Sequence, residues 1–302
     1  MMAKKLTIGN SKGGAGKTTT SLLVAYELAK RGQRVLFMDF DPQSNSTRTL
    51  FKTFYEDGFS ESATTVFDGL KSKDLLPSIL RPTVNFHFIP SSQDTANFGL
   101  LLNEKNEFTY FRNMVKKIED DYDYIFFDTP PTTFSVFLNS SLAASDYFIV
   151  VSEVSAYSFE GIGDFYDVAE RINQHVNKDL QFLGVLVNKR EDNKDTMVEI
   201  AREYDLSDYD TFFRAFIPYR TRISKYAKHG LYAYHRNVLV PKMIETRMRK
   251  AAEKGKSFNP DTTNFGEYDN WDKEVMTHFE TVVDEVLLRI KEMSESNEEV
   301  KQ

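Results

Sequence analysis

Seven short apolar runs recur along the chain at 5–10 (KLTIGN), 34–38 (RVLFM), 84–90 (VNFHFIP), 123–128 (DYIFFD), 146–152 (DYFIVVS), 180–188 (LQFLGVLVN) and 214–218 (RAFIP). They are rich in Val, Ile, Leu and Phe and nearly continuous rather than alternating, the pattern of strands buried on both faces of a parallel sheet. Between them the apolar positions recur at helical spacing, among other places over 17–31, 105–121, 155–176, 191–205 and 269–293. This alternation predicts an α/β fold: a mostly parallel, twisted sheet with helices on both faces and extra helices on the C-terminal side. There is no internal repeat and no linker-like stretch, so one domain is expected over 1–292, with 236–292 as a C-terminal helical elaboration. The polar end, MSESNEEVKQ at 293–302, is expected to be a disordered tail.

Composition narrows the classes. The 302 residues are 41% hydrophobic and contain no cysteine, which excludes disulfides, cysteinyl zinc and iron–sulfur ligation. The five histidines are scattered without metal-ligand spacing. No apolar run approaches the roughly 20 residues that span a bilayer, and MMAKKLTIGN leads straight into a strand rather than reading as a secretory signal. A cytoplasmic protein is expected. The net charge of −7 argues against a polyanionic partner until its distribution is considered. Residues 214–256 carry twelve lysines and arginines against two acids, Glu245 and Glu253, a local excess of ten positive charges in a chain that is acidic elsewhere.

The most informative segment is SKGGAGKTT, residues 11–19, set between a strand and an amphipathic helix. Gly13, Gly14 and Gly16, with Ala15 between them, let the backbone curl so that successive N–H groups and the helix N-terminus face a polyphosphate. Lys17 would neutralise the β and γ phosphates, and Thr18, followed by Thr19, would bring its hydroxyl to Mg²⁺. Position 11 is Ser where the usual pattern has its first glycine, and a second cation, Lys12, follows it. Further on, MDFDPQSNST (38–47) places Asp39 and Asp41 past the end of the second run, where either would hold the metal shell or orient an attacking water. YIFFDTPP (124–131) ends a hydrophobic strand on Asp128, the arrangement in which a carboxylate supports Mg²⁺ through water.

KGGxGKTT resembles the deviant Walker A loop of the ParA/MinD family of P-loop ATPases. The resemblance extends over residues 4 to about 235 and implies a P-loop NTPase fold. It gives Lys12 the task of reaching across a nucleotide-sandwich homodimer to the partner's phosphates. It also makes Asp41, the second acid of the DxDPQ pattern, the residue that activates water, and leaves Asp39 and Asp128 with Thr18 at the metal. Asn188, which ends GVLVN, and Pro218, after AFI, resemble the family's adenine contacts. The cofactors implied are ATP and Mg²⁺, and slow basal hydrolysis is the family expectation.

Within that family, the acid-rich C-terminus VVDEVLLRIKEMSESNEEVKQ differs from the basic amphipathic helix of membrane-binding members. The lack of cysteine separates the chain from iron–sulfur relatives, and its tail has no tyrosine cluster of the kinase type. The DNA-partition branch remains. There IPYRTRISKYAKHG (217–230) resembles a segment used for non-specific DNA binding, with Arg222 its best-matching arginine. Arg220, Lys225, Lys228, Arg236, Lys242, Arg247, Arg249 and Lys250 extend the basic stretch. Such residues bind phosphates by charge and counterion release without reading bases. The partners implied are a second copy of the chain on ATP binding, non-specific double-stranded DNA and a ParB-type centromere-binding protein, with no membrane. With the loop beginning at residue 11, no helix-turn-helix domain is expected ahead of it. A MinD-like or cargo-positioning ATPase acting on a membrane or protein complex, and a P-loop metabolic ligase, are the alternatives.

Overall fold

The structure is a computed structural model that describes residues 2–55, 63–102, 108–132, 135–153, 156–190, 211–231, 240–259 and 270–300. Its strands are β1 (Lys4–Gly9), β2 (Val35–Asp39), β3 (Phe86–Ile89), β4 (Tyr124–Asp128), β5 (Tyr147–Glu153), β6 (Gln181–Arg190) and β7 (Phe212–Pro218), one for each apolar run of the sequence. They form one sheet of order β3-β2-β4-β1-β5-β6-β7, with every adjacent pair parallel. β1 lies between β4 and β5. The connection after β1 runs to the β2 side while the one from β4 to β5 crosses to the other, so the winding reverses there, and the crevice beyond the carboxyl end of β1 is where ligands bind in sheets of this kind.

The helices are α1 (Lys17–Lys30), α2 (Asn45–Phe54), α3 (Val66–Ser72), α4 (Thr109–Val115), α5 (Val136–Ala144), α6 (Ala156–His175), α7 (Thr221–His229), α8 (Val240–Glu253) and α9 (Asn270–Val300). The expected helix over 105–121 is shorter. α4 ends at Val115, and the chain tightens into a 3-10 turn at Glu119–Asp121, where the Glu119 carboxylate meets the Lys5 amine at 2.8 Å. Residues 191–205 lie outside the described residues. At the other end, α9 continues to Val300, so the expected tail is helical over 293–300.

Alternation along β2 shows how both faces are covered. Leu36 and Met38 enter a buried cluster with Val66 and Leu70 of α3 and Phe111, Met114 and Val115 of α4. Phe37, pointing the other way, stacks on Phe86, whose ring meets Tyr26 of α1 edge-on. β2 and β4 are buried at every position, which is why their sequences are continuously apolar up to the terminal aspartate.

The chain divides into two compact units: Met1–Thr47, Glu61–Tyr219 and His278–Gln302 in the first, Arg48–Ser60 and Arg220–Thr277 in the second. In the first, the C-terminal part of α9 closes the sheet at β7. Glu285 accepts the backbone N–H groups of Arg214 and Ala215 at 2.9 and 2.7 Å, so edge donors that would template strand addition are occupied. Arg289 fills the gap where the β6–β7 register slips. Its guanidinium donates to the Leu183 and Phe212 carbonyls and lies 4.4 Å from the Phe213 ring centre. Gly184, at φ 133°, makes room for it, since a Cβ there would sit 2.8 Å from the guanidinium.

The second unit packs α2 from Arg48 onward with α7. Phe51, Tyr226 and Leu231 are buried, and Thr53 accepts the Leu231 N–H at 2.8 Å.

Candidate nucleotide site and basic segment

The 11–19 loop leaves the end of β1 and runs into α1, as its sequence predicts. Asn10 anchors the entry: its amide donates to the Val151 carbonyl of β5 at 2.6 Å while its oxygen accepts the Lys12 N–H at 2.7 Å. Gly13 and Gly14 are exposed, Ala15 is buried, and Thr18 and Thr19 are half-buried. The side chain of Lys12 is exposed, whereas Lys17 is 6% exposed and returns its ammonium to the Lys12 carbonyl at 3.0 Å. Burial pushes the Lys17 pKa down, opposed by the nearby Asp128 and Asp41 carboxylates. A buried ammonium with one backbone acceptor is poised to exchange that acceptor for a phosphate.

The three aspartates converge on the same edge. Asp39 and Asp128 are register partners at the ends of β2 and β4. Asp39 is saturated: one oxygen accepts the Asp41 N–H at 3.0 Å, and the other accepts the Thr47 N–H at 2.9 Å and the Thr47 hydroxyl at 2.6 Å. Burial raises its pKa to about 6 despite those donors. Asp41 is raised by burial too, and accepts the Gln43 N–H at 2.8 Å. Between them Phe40 is fully buried, its ring 4.6 Å from Phe111, 4.8 Å from Phe98 and 5.3 Å from Phe137. That anchor turns the two flanking acids together toward the edge.

Asp128 is the least satisfied acid. One oxygen accepts the Thr18 hydroxyl at 3.1 Å, while Oδ2 is buried without a hydrogen-bond partner among the described residues. Burial, then the Asp39 and Asp41 charges, raise its pKa well above the carboxylate range. A divalent cation would relieve both the orphaned oxygen and the like-charge repulsion, so the residues present fit Mg²⁺.

Asn188 also reaches the loop, donating to the Ala15 carbonyl at 2.7 Å. In this structure its amide holds the loop backbone, a role its place at the end of an apolar run does not reveal. Pro218 is buried at the end of β7, in register with Arg190 of β6. Asn10, Thr47 and Lys189 join the site without having been singled out in the sequence; each acts on backbone or on another side chain, and no motif marks them.

The nine candidate DNA contacts fare unevenly. Arg236 lies outside the described residues. Arg222, the best match in the sequence, is 9% exposed, because its four-residue spacing from Tyr226 puts both on the inward stripe of α7. Its guanidinium does not face solvent here, which removes it as a surface contact in this conformation. Arg220 is half-buried and paired with Glu274 at 2.6 Å. Lys225 is half-buried; Lys228 on α7 and Lys242, Arg247, Arg249 and Lys250 on α8 are exposed. Lys52, exposed on α2, belongs with them. Burial first, and then the positive field of Lys228, Lys52, Lys225 and Lys242, hold the His229 pKa below its usual value. Four lysines acting on one imidazole form a cluster, and Lys52 enters it from more than 170 residues away in sequence.

A parallel sheet carrying a glycine-rich loop, a buried lysine at the start of a helix, and acids at the ends of neighbouring strands define a P-loop nucleotide-binding protein. The family described as an AAA domain matches residues 3–182. The chain is 29% identical over 233 residues to the chromosome-partitioning ATPase Soj of Treponema pallidum, covering 76% of this chain and 88% of that one. It is 30% identical over 232 residues to the sporulation initiation inhibitor protein Soj of Bacillus subtilis, covering 76% and 89%. A crystal structure of a Borrelia burgdorferi B31 protein bound to AMPPNP superposes with a TM-score of 0.69 at 21% identity, over 95% of this chain and 99% of that one. The chain belongs to the ParA-type branch of the deviant Walker A P-loop ATPases.

Proposed function

We propose that this protein is a DNA-partition ATPase that binds ATP with Mg²⁺ at residues 12–19, closes as a dimer over two nucleotides, and holds non-specific DNA through its basic segment until hydrolysis releases it. The observation that carries the reading is the pairing of a buried lysine, Lys17, with an exposed one, Lys12, on a single loop. Lys17 serves the phosphates bound by its own subunit, and Lys12 is free to serve those of a second copy. The printed names of the Soj relatives support the partition role, and the structure solved with AMPPNP supports an adenine nucleotide.

Thr18 and Asp128 would hold Mg²⁺, with Asp39 adding its charge beside them. Bound there, the cation neutralises developing phosphate charge. The loop N–H groups orient the phosphates, and Asp41 orients the attacking water. Asn188 and Pro218 stand as the adenine-side residues. Lys228, Lys242, Arg247, Arg249 and Lys250, with Lys52, supply the phosphate-binding surface, and a ParB-type partner stimulates a slow basal turnover.

The test is binding to a random-sequence duplex with ATP, ADP or no nucleotide across a salt series. Binding that requires ATP, ignores sequence and weakens steeply with salt supports the reading. Binding in no state overturns it and leaves a cargo-positioning ATPase to be sought on membranes and protein partners.

A further inference from the structure

Lys189 follows Asn188 near the end of β6 and lies outside the nucleotide contacts proposed above. Its backbone is left-handed, φ 55°, a conformation that costs a residue with a Cβ energy and persists where the surroundings require it. Its ammonium donates to the Gly14 carbonyl at 2.8 Å and is paired with the Glu153 carboxylate at the end of β5. The neighbouring Asn188 amide donates to the Ala15 carbonyl at 2.7 Å, and its oxygen accepts the Lys189 N–H at 2.9 Å. Contact is so close that a Cβ on Gly16 would lie 2.0 Å from the Asn188 amide nitrogen. Two consecutive peptide groups of the loop are thus held by their oxygens from one strand end.

In a trans peptide the C=O and N–H point in opposite directions. Pulling the Gly14 carbonyl toward Lys189 turns the Ala15 N–H away from it, and pulling the Ala15 carbonyl toward Asn188 does the same to the Gly16 N–H. We propose that Lys189, with Glu153 fixing its head group, is a positioning residue that pre-orients the Ala15 N–H toward the phosphate site, as Asn188 does for the Gly16 N–H. The inference rests on the reading of this loop as a nucleotide site and adds to it a source of preorganisation outside the loop. A loop already oriented binds without the cost of ordering its donors.

The test compares wild type with Lys189→Met, Lys189→Gly and Lys189→Arg by titration with Mg-ADP, by steady-state ATP hydrolysis and by unliganded thermal unfolding. If wild type binds no ADP, the nucleotide reading itself fails, whatever the variants do. If wild type binds, the expected result is an ADP Kd and an ATP KM raised about tenfold in Met and Gly, kcat within about threefold, and substantial recovery in Arg. Gly is the discriminating variant. It relieves the left-handed strain, so unliganded stability should hold or rise while nucleotide affinity falls. Affinity unchanged in Met and Gly, or affinity lost only in step with unliganded stability, overturns the proposal.

Discussion

The nucleotide site and the basic segment are built on opposite principles. In the first unit, function is concentrated in buried groups. Lys17, Asp39, Asp41 and Asp128 are each nearly excluded from solvent, and each is held by a backbone or side-chain partner that fixes its direction. In the second unit, the cations on α8 are exposed, and the Arg249–Glu253 approach of 4.0 Å is the sort of exposed pair worth little. Geometry therefore decides what the first region does, and summed charge decides what the second does. Single substitutions should be severe and specific in one, graded and interchangeable in the other.

The largest effect is expected at Lys17. Replacing it with Ala removes the buried cation near the Asp128 and Asp41 carboxylates, and nucleotide affinity should fall at least about 100-fold, or ~2.7 kcal/mol, by calorimetric titration. Asp41→Ala should retain ATP and ATP-dependent DNA binding while hydrolysis falls at least about 100-fold, a typical loss for a water-orienting group. Normal turnover in Asp41→Ala would give the catalytic task to another acid.

In the basic segment the expected effects are smaller and sort by burial. Arg222→Ala should cost about 2 kcal/mol of stability, since the guanidinium is buried with Tyr226. Lys250→Ala should leave stability within about 0.5 kcal/mol, weaken DNA binding a few-fold, and reduce the slope of log affinity against log salt by about 1. Denaturant melts beside a salt series separate the two. If Arg222→Ala changes only the DNA slope, the guanidinium reaches phosphate in a conformation other than this one.

The same contrast explains what could be read from the sequence. The seven strands were legible because strands covered on both faces are apolar almost throughout, and β2 and β4 carry that pattern up to Asp39 and Asp128. The loop was legible because its chemistry is local. α3 and α5 escaped assignment: α3 is seven residues long, and α5 (VFLNSSLAA) buries small polar residues together with apolar ones, so its face has little contrast. Arg222 misled because a charge in sequence does not say which side of a helix it occupies. Lys52, Lys189 and Arg289 were illegible for another reason. Each acts on backbone or charge brought near only by the fold, and none belongs to a local pattern.

Two pH responses extend the comparison with smaller effects. Asp39 has a folded pKa of about 6, above the ordinary carboxylate value, so the folded protein holds that proton more tightly than the unfolded chain does. Stability of the nucleotide-free protein should therefore fall as pH rises from about 4 to about 6, through the window between the two values. Asp39→Asn should flatten that slope in urea melts taken across it. A slope that survives the substitution would assign the proton to Asp128 or Asp41.

His229 reports on the other region with the opposite sign. Burial and the lysines around it hold its pKa below the ordinary value, so the fold favours the neutral ring, and the small stability it carries is lost as pH falls through about 6.5. Phosphates laid over Lys52, Lys225, Lys228 and Lys242 would cancel the field that repels the proton. Random duplex, added with ATP, should then move the His229 midpoint upward in a proton NMR titration, and DNA affinity should rise modestly as pH falls below about 6.5. A midpoint that does not move would place the DNA away from the four lysines. Arg247, Arg249 and Lys250 of α8 would then have to carry the binding alone, and Lys52→Ala would leave it unchanged.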